Sequence, residues 1–235
     1  MAEQNEYLIA VGKGAIADLW AHHDKPDAFN PSKFSESDIK VFTRKSEDAA
    51  CPEDIVKASF VLEGTSTNHV LALVLPWMSY RLEWDDLLSG AEVVQELTPS
   101  MKVVHHLTRK RMPLSARDSI DVVAIDARSD TVIAAARSVN LDSVPEVKDH
   151  VRTSQHLGGY VIKDLGEGKI QFEMYFHGDL KIGGISLVKS LIETIKPKIM
   201  VDLAKNLRKS IKKVPVLPAD MESTLIYTDL VVEAN

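Results

Sequence analysis

Cysteine is almost missing from this chain of 235 residues: Cys51 stands alone. That excludes an intrachain disulfide and a cysteine-rich zinc site, and it fits a reducing compartment. No apolar run approaches the roughly 18 residues of a membrane span, and the start, MAEQNEYLIAVGKG, has no basic stretch leading into a long apolar one. The expectation is a soluble, cytoplasmic protein that meets membranes only transiently. Positive charge is in deficit, with 28 Lys and Arg against 34 Asp and Glu for a net −6, which argues against a nucleic-acid partner. The signatures of catalysis are also absent: there is no G-x-S-x-G elbow, Walker loop, H-E-x-x-H or dinucleotide fingerprint. His105 and His106 are adjacent in a strand-like run, so they point to opposite faces and cannot share one metal site. Neither a metal nor a cofactor is expected, and Cys51, in DAACPED, is read as incidental.

What is present is a large apolar fraction, 45%, enough for one substantial core, with no internal repeat and no low-complexity segment. A helix is expected over Glu6 to His22, followed by a loop, HHDKPDAFNPSKFSESD. DIKVFTRK and IVKASFVLEG alternate as strands. GTSTNHVLALVLPW switches to a short helix with hydroxyl caps, closed by Pro76. From Glu92 to His177 the pattern returns to strands separated by turn sequences such as DARSD and LGEGK, which predicts an antiparallel meander. A long amphipathic helix follows from Ile185 to Lys212, with Pro197 inside it. The fold class is therefore α+β, with a curved sheet wrapped around the C-terminal helix. The tail after Val214 reads as either loose or a short added strand.

Charge is unevenly distributed. Lys189 to Lys213 holds eight cations and two acids, a local +6 that leaves −12 for the remainder. Such asymmetry suits a face that meets an anionic membrane, or a plain solvated helix face. Arg81 and Asp85, in SYRLEWDDLL, stand at i and i+4 after a strongly apolar run. On an exposed helix the pair would contribute about 0.3–0.5 kcal/mol, whereas a buried pair is costly to desolvate and suits polar recognition. Arg117 and Asp118 open a strand and point to opposite faces, so each needs its own partner.

YRLEWDDLLSGAEVVQEL, VVHHLTRKRMPLSARDSI, ARSVNLDSVPEVKDHVR and the final helix together resemble a START domain, the lipid-transfer fold related to steroidogenic acute regulatory protein, over 35–213. Residues 1–34 then form an N-terminal helix and loop of the same domain, and 214–235 a tail. The resemblance implies a helix-grip fold of about nine antiparallel strands around a lipid tunnel. It also implies a non-enzymatic lipid carrier that is expected to be monomeric. Arg81 and Asp85 match the buried cation and acid of phosphatidylcholine- and ceramide-transfer members, and His106 and Tyr175 match further polar positions of the ceramide type. These four are the expected ligand-binding residues, with Arg117 and Asp118 as polar groups of the cavity or strand end.

The internal acid and arginine of sterol-type members fall on Val104 and Val123, which lowers a sterol reading. A choline cage would include His106 and Ser119, neither an aromatic wall for a quaternary ammonium. The asparagine of ceramide-transfer members is Ala136. A ceramide-like or diacyl lipid is favoured, with a sterol, or a helix-grip cyclase or hydrolase using His106 as base and Asp85 as orienter, as alternatives. The door is expected at the C-terminal helix, with Gly178, Gly183, Gly184, Leu191, Ile195 and Pro197 as lid and hinge. Lys196, Lys205, Arg208 and Lys209 are expected to face the membrane.

Overall fold

The computed structural model describes residues 2–112, 114–182 and 186–230, with the side chains of 186–189 and 191–193 outside that description. In chain order the elements are α1 (Ala2–His23), β1 (Asn30–Pro31), β2 (Ile39–Arg44), β3 (Ile55–Glu63), α2 (Thr67–Val74), α3 (Arg81–Trp84), β4 (Leu88–Thr98), β5 (Met101–Thr108), β6 (Arg117–Arg128), β7 (Thr131–Ser138), β8 (Val151–Arg152), β9 (Ser154–Asp164), β10 (Lys169–Asp179), α4 (Ser186–Lys213), α5 (Pro218–Ser223) and α6 (Leu225–Thr228).

One sheet runs β1-β2-β3-β10-β9-β7-β6-β5-β4, with β8 lying parallel to β6 beside the main path. All neighbours on that path are antiparallel, as short turns between consecutive strands require. The expected meander forms from β4 to β10, and β3 then pairs with β10 to bring the early hairpin alongside. Strand β4 begins four residues earlier than the sequence pattern suggests, at Leu88, because bulges break its alternation.

Strand parity assigns side chains to the two faces. On β6, Ile125 and Ala127 join the concave core, while Ile120, Val122 and Ala124 join the convex one. The long helix α4 lies on the concave face through Met200, Val201, Ala204, Leu207 and Ile211, spaced for one helical stripe. Helix α1 covers the convex face, burying Leu8, Gly12, Ala15, Leu19 and Trp20. It approaches closely at Gly12, where a Cβ would meet the Met101 sulfur at 2.6 Å. Trp20 Nε1 donates to Asp126 at 2.7 Å, tying that helix to the outer face of β6.

The tail is neither loose nor a strand as far as residue 230. It forms α5 and α6, whose Tyr227 enters the core beside Trp77, with ring centroids 6.2 Å apart. Tyr80 donates to Asp220 at 2.5 Å and fixes the tail over the segment that precedes Arg81. These contacts join residues far apart in the chain, which a local pattern does not carry.

Candidate functional site

A cavity of about 330 Å³ opens between the concave face and α4, at the lower end of ligand-site volumes. Apolar walls come from Val56, Val123, Ala134, Met174, Ile199 and Leu203. Three sets of its polar groups are each fixed by local structure.

The first is the end of α2. A helix leaves its last carbonyls unpaired and its C-terminal end partly negative. Here Trp84 Nε1 donates to Leu73 O at 2.7 Å and Arg81 Nη1 to Val74 O at 2.9 Å. Arg81 also donates from Nε and Nη2 to Asp85 Oδ2, at 2.9 and 2.5 Å, and its guanidinium stacks on Trp84 and Tyr160, 4.9 and 5.2 Å from the ring centroids. Asp85 is 2% exposed, so this is a buried pair and not a solvated one. Burial alone would lower the Arg81 pKa, but the Tyr160 oxygen and Asp85 outweigh it and hold the guanidinium above its ordinary value. Burial pushes the Tyr160 phenol up, against the pull of Arg81.

The second is the middle of β5 and β6. His106 Nδ1 lies 2.9 Å from Asp121 Oδ2, which also accepts from Ser119 Oγ at 2.6 Å, while Ser138 Oγ reaches Oδ1 at 2.6 Å. Burial would raise the Asp121 pKa, but these donors, His106 foremost, hold it below the carboxylate range. Facing a carboxylate, Nδ1 is the ring nitrogen that donates, which leaves Nε2 as the ring's other polar atom. The third is Arg117, which shares the parity of Ser119, Asp121 and Val123 and so lines the cavity with them.

Of the residues expected from sequence, Arg81, Asp85, His106 and Arg117 come together around this space. Tyr175 also borders the space but does not bring its hydroxyl there. It follows Met174, so its side chain takes the opposite face, where the ring packs with His22 and Phe29 under α1 and the hydroxyl donates to Glu173 at 2.7 Å. The inward tyrosine is Tyr160, on the neighbouring strand. Asp118 likewise faces outward, bound by His105 at 2.9 Å and Arg152 at 2.7 Å. Parity along DSIDVV carried the signal for Asp121, which sits two and four residues beyond Ser119 and Arg117.

The expected membrane face is rearranged. Lys196 is 5% exposed, lines the cavity and lies 5.8 Å over the Phe176 ring. Lys205 pairs with Glu36 at 2.6 Å and Arg208 pairs with Asp38, because the loop before β2 brings both acids against α4. Lys209 stays exposed. Of the expected lid and hinge, Ile195 lines the cavity, Pro197 lies inside α4 and Gly178 sits at a bulge of β10. Gly183, Gly184 and the Leu191 side chain lie outside the described residues. Among those described, no three or more His, Cys, Asp or Glu are placed to hold a metal, and no helix is long and apolar enough to cross a membrane.

A family model described as START domain matches residues 31–213. The chain belongs to the START domain family. This START chain is 27% identical to bovine StAR-related lipid transfer protein 5 over 168 residues, 69% of the chain and 77% of that protein. It is 26% identical to the ceramide transfer protein of Xenopus laevis over 117 residues, 47% of the chain but only 19% of that protein. The solved structure of human StAR-related lipid transfer protein 5 superposes with a TM-score of 0.81 at 21% identity, covering 88% of this chain and 98% of that one. That places the helix-grip reading of the sheet and α4 on a structural footing.

Proposed function

We propose that the protein carries one lipid at a time, unchanged, between membranes, with the head at Arg81, Asp85, His106 and Tyr160 and the tail along the apolar wall. The observation that carries this reading is the buried Arg81–Asp85 pair facing a largely apolar cavity. Each methylene moved from water into such a wall is worth about 0.8 kcal/mol, while a polar head needs donors and acceptors already in place. A ceramide-like or diacyl lipid suits this division. Ala136 lines the cavity and offers no amide to a ceramide head, which shifts the balance toward a diacyl phospholipid.

Membrane contact is assigned to the mouth of the cavity rather than to α4. Arg109 and Lys110 are exposed, Arg111 follows and pairs with Asp202 at 3.1 Å, and Met112 is 77% exposed while its atoms also line the opening. Two exposed cations, Arg109 and Lys110, just ahead of one bare apolar side chain suit the headgroup layer of an anionic bilayer.

The test is transfer of chain-labelled phosphatidylcholine and ceramide from donor to acceptor vesicles, with the recovered lipid checked by mass spectrometry. Transfer of unaltered lipid, slowed by Met112→Asp without loss of the lipid already bound, supports the reading. Absence of transfer, or a chemically altered lipid, contradicts it; an altered lipid would favour the cyclase or hydrolase alternative.

A further inference from the structure

Arg117 differs from the other charged groups of the cavity wall. It is 8% exposed and lines the cavity. Its Nη1 donates to the Ser115 carbonyl at 2.5 Å and to the Ser115 hydroxyl at 2.9 Å, and its buried Nε has no partner. No carboxylate pairs with it among the described residues. Its chain neighbour Asp118 is on the other face, held by Arg152 and His105. On its own face Asp121 is taken by His106 and two serines, Asp85 by Arg81, and Asp179 by Lys181 at 2.7 Å.

A guanidinium cannot shed its proton, and a buried charge without a counter-charge is expensive to hold. The burial that lowers the pKa of Arg117 is therefore left uncompensated within the protein. A phosphate or carboxylate would supply both the missing acceptor and the missing charge, since the planar fork of arginine matches either group. Further along the cavity the wall is apolar, with Val123 on the same strand, Ala134 on β7 and Met174 on β10, so a free inorganic anion would leave most of the space unfilled.

We infer that Arg117 is a second anchoring point in the cavity and that the carried lipid bears an anionic oxygen group seated on it. This rests on the lipid-carrier reading and narrows it: the Arg81 charge is already neutralised by Asp85, whereas that of Arg117 is open.

The experiment uses the full chain and two chain-labelled probes with identical acyl chains, phosphatidic acid and diacylglycerol, each presented in phosphatidylcholine vesicles. Uptake is followed by separating the protein from the vesicles. Wild type is expected to take phosphatidic acid about tenfold better than diacylglycerol, the size of one charged hydrogen bond. Arg117→Gln should bring phosphatidic acid uptake down to that of diacylglycerol, and Arg117→Lys should restore part of the preference. Equal uptake of both probes by wild type, or a parallel loss of both in an Arg117→Gln protein that melts like wild type, overturns the inference. The wild-type comparison decides the matter even if neither variant folds. Inorganic phosphate that raises the melting temperature while neither probe is taken up would assign the site to a free anion and overturn the lipid. Uptake of neither probe, without that shift, would fail the carrier reading itself, whereas uptake of diacylglycerol alone would fail only the anionic assignment.

Discussion

Removing Arg81 alone should cost more stability than removing the Arg81–Asp85 pair together, while both should have the same consequence for binding. Arg81→Ala leaves Asp85, 2% exposed, without its cation and uncaps the Val74 carbonyl. Breaking one side of a buried pair costs about 3–5 kcal/mol. For a chain of this length that lowers the melting temperature by about 6–20 °C. Arg81→Met combined with Asp85→Leu removes both charges and fills the volume, a change that is close to neutral in many buried pairs. Here two groups lose a partner, Val74 O and the Leu87 N–H that Asp85 Oδ1 accepts at 3.1 Å, so the double variant should fall about 1–3 kcal/mol below wild type. Thermal melting followed by circular dichroism measures the stability and lipid extraction from vesicles measures the site. The double variant should melt well above the single one yet extract lipid at least about tenfold less than wild type. A double variant as unstable as Arg81→Ala would mean that the pair is there to hold the fold. One that extracts lipid like wild type would place the polar head elsewhere.

Asp121→Asn removes the charge that orients His106 and replaces one acceptor oxygen with a donor facing Ser119, Ser138 or the ring; the expected loss is about 2–3 kcal/mol in urea unfolding, with weaker lipid extraction, and an unchanged midpoint would refute the network. Burial lowers the pKa values of His22, His69 and His177, so between those values and the unfolded value near about 6.5 the unfolded chain binds more protons. Stability should therefore be full above about pH 6.5 and decline as pH falls, and His177→Gln should flatten the slope of urea midpoints taken between about pH 7.5 and about pH 5.5. Gly159 has φ +155° and sits where a Cβ would strike the Ala134 carbonyl and come within 2.8 Å of Leu19 on α1; Gly159→Ala should cost about 2 kcal/mol or more and speed proteolysis within α1. Wild-type rates of cleavage there would show that this helix tolerates displacement.

Much of the fold was legible because the periods are clean. The helical spacing of Ile199, Leu203, Leu207 and Ile211 and the alternation of β3, β6 and β10 were enough for a meander closed by a helix, and Arg81 and Asp85 at i and i+4 were placed to meet. The failures share a physical source. Which tyrosine looks inward depends on strand parity relative to the core, and Tyr175 has the parity of Glu173, not of Phe172 and Met174. Lys196 is buried with its ammonium over the Phe176 ring, a contact between α4 and β10 that charge patterning along one helix does not carry. Lys205 and Arg208 pair with Glu36 and Asp38, residues so distant in sequence that no local window contains both partners. The helices of the tail depend on Tyr80, Trp77 and the core around Tyr227, so the isolated sequence PVLPADMESTLIYTDL did not declare them.

Native mass spectrometry of the full chain purified from cells tests the central claim most directly. The protein should carry one lipid per chain, retained in wild type and lost from Arg81→Met combined with Asp85→Leu. A wild-type spectrum with no lipid bound, or equal occupancy in the double variant, would contradict it.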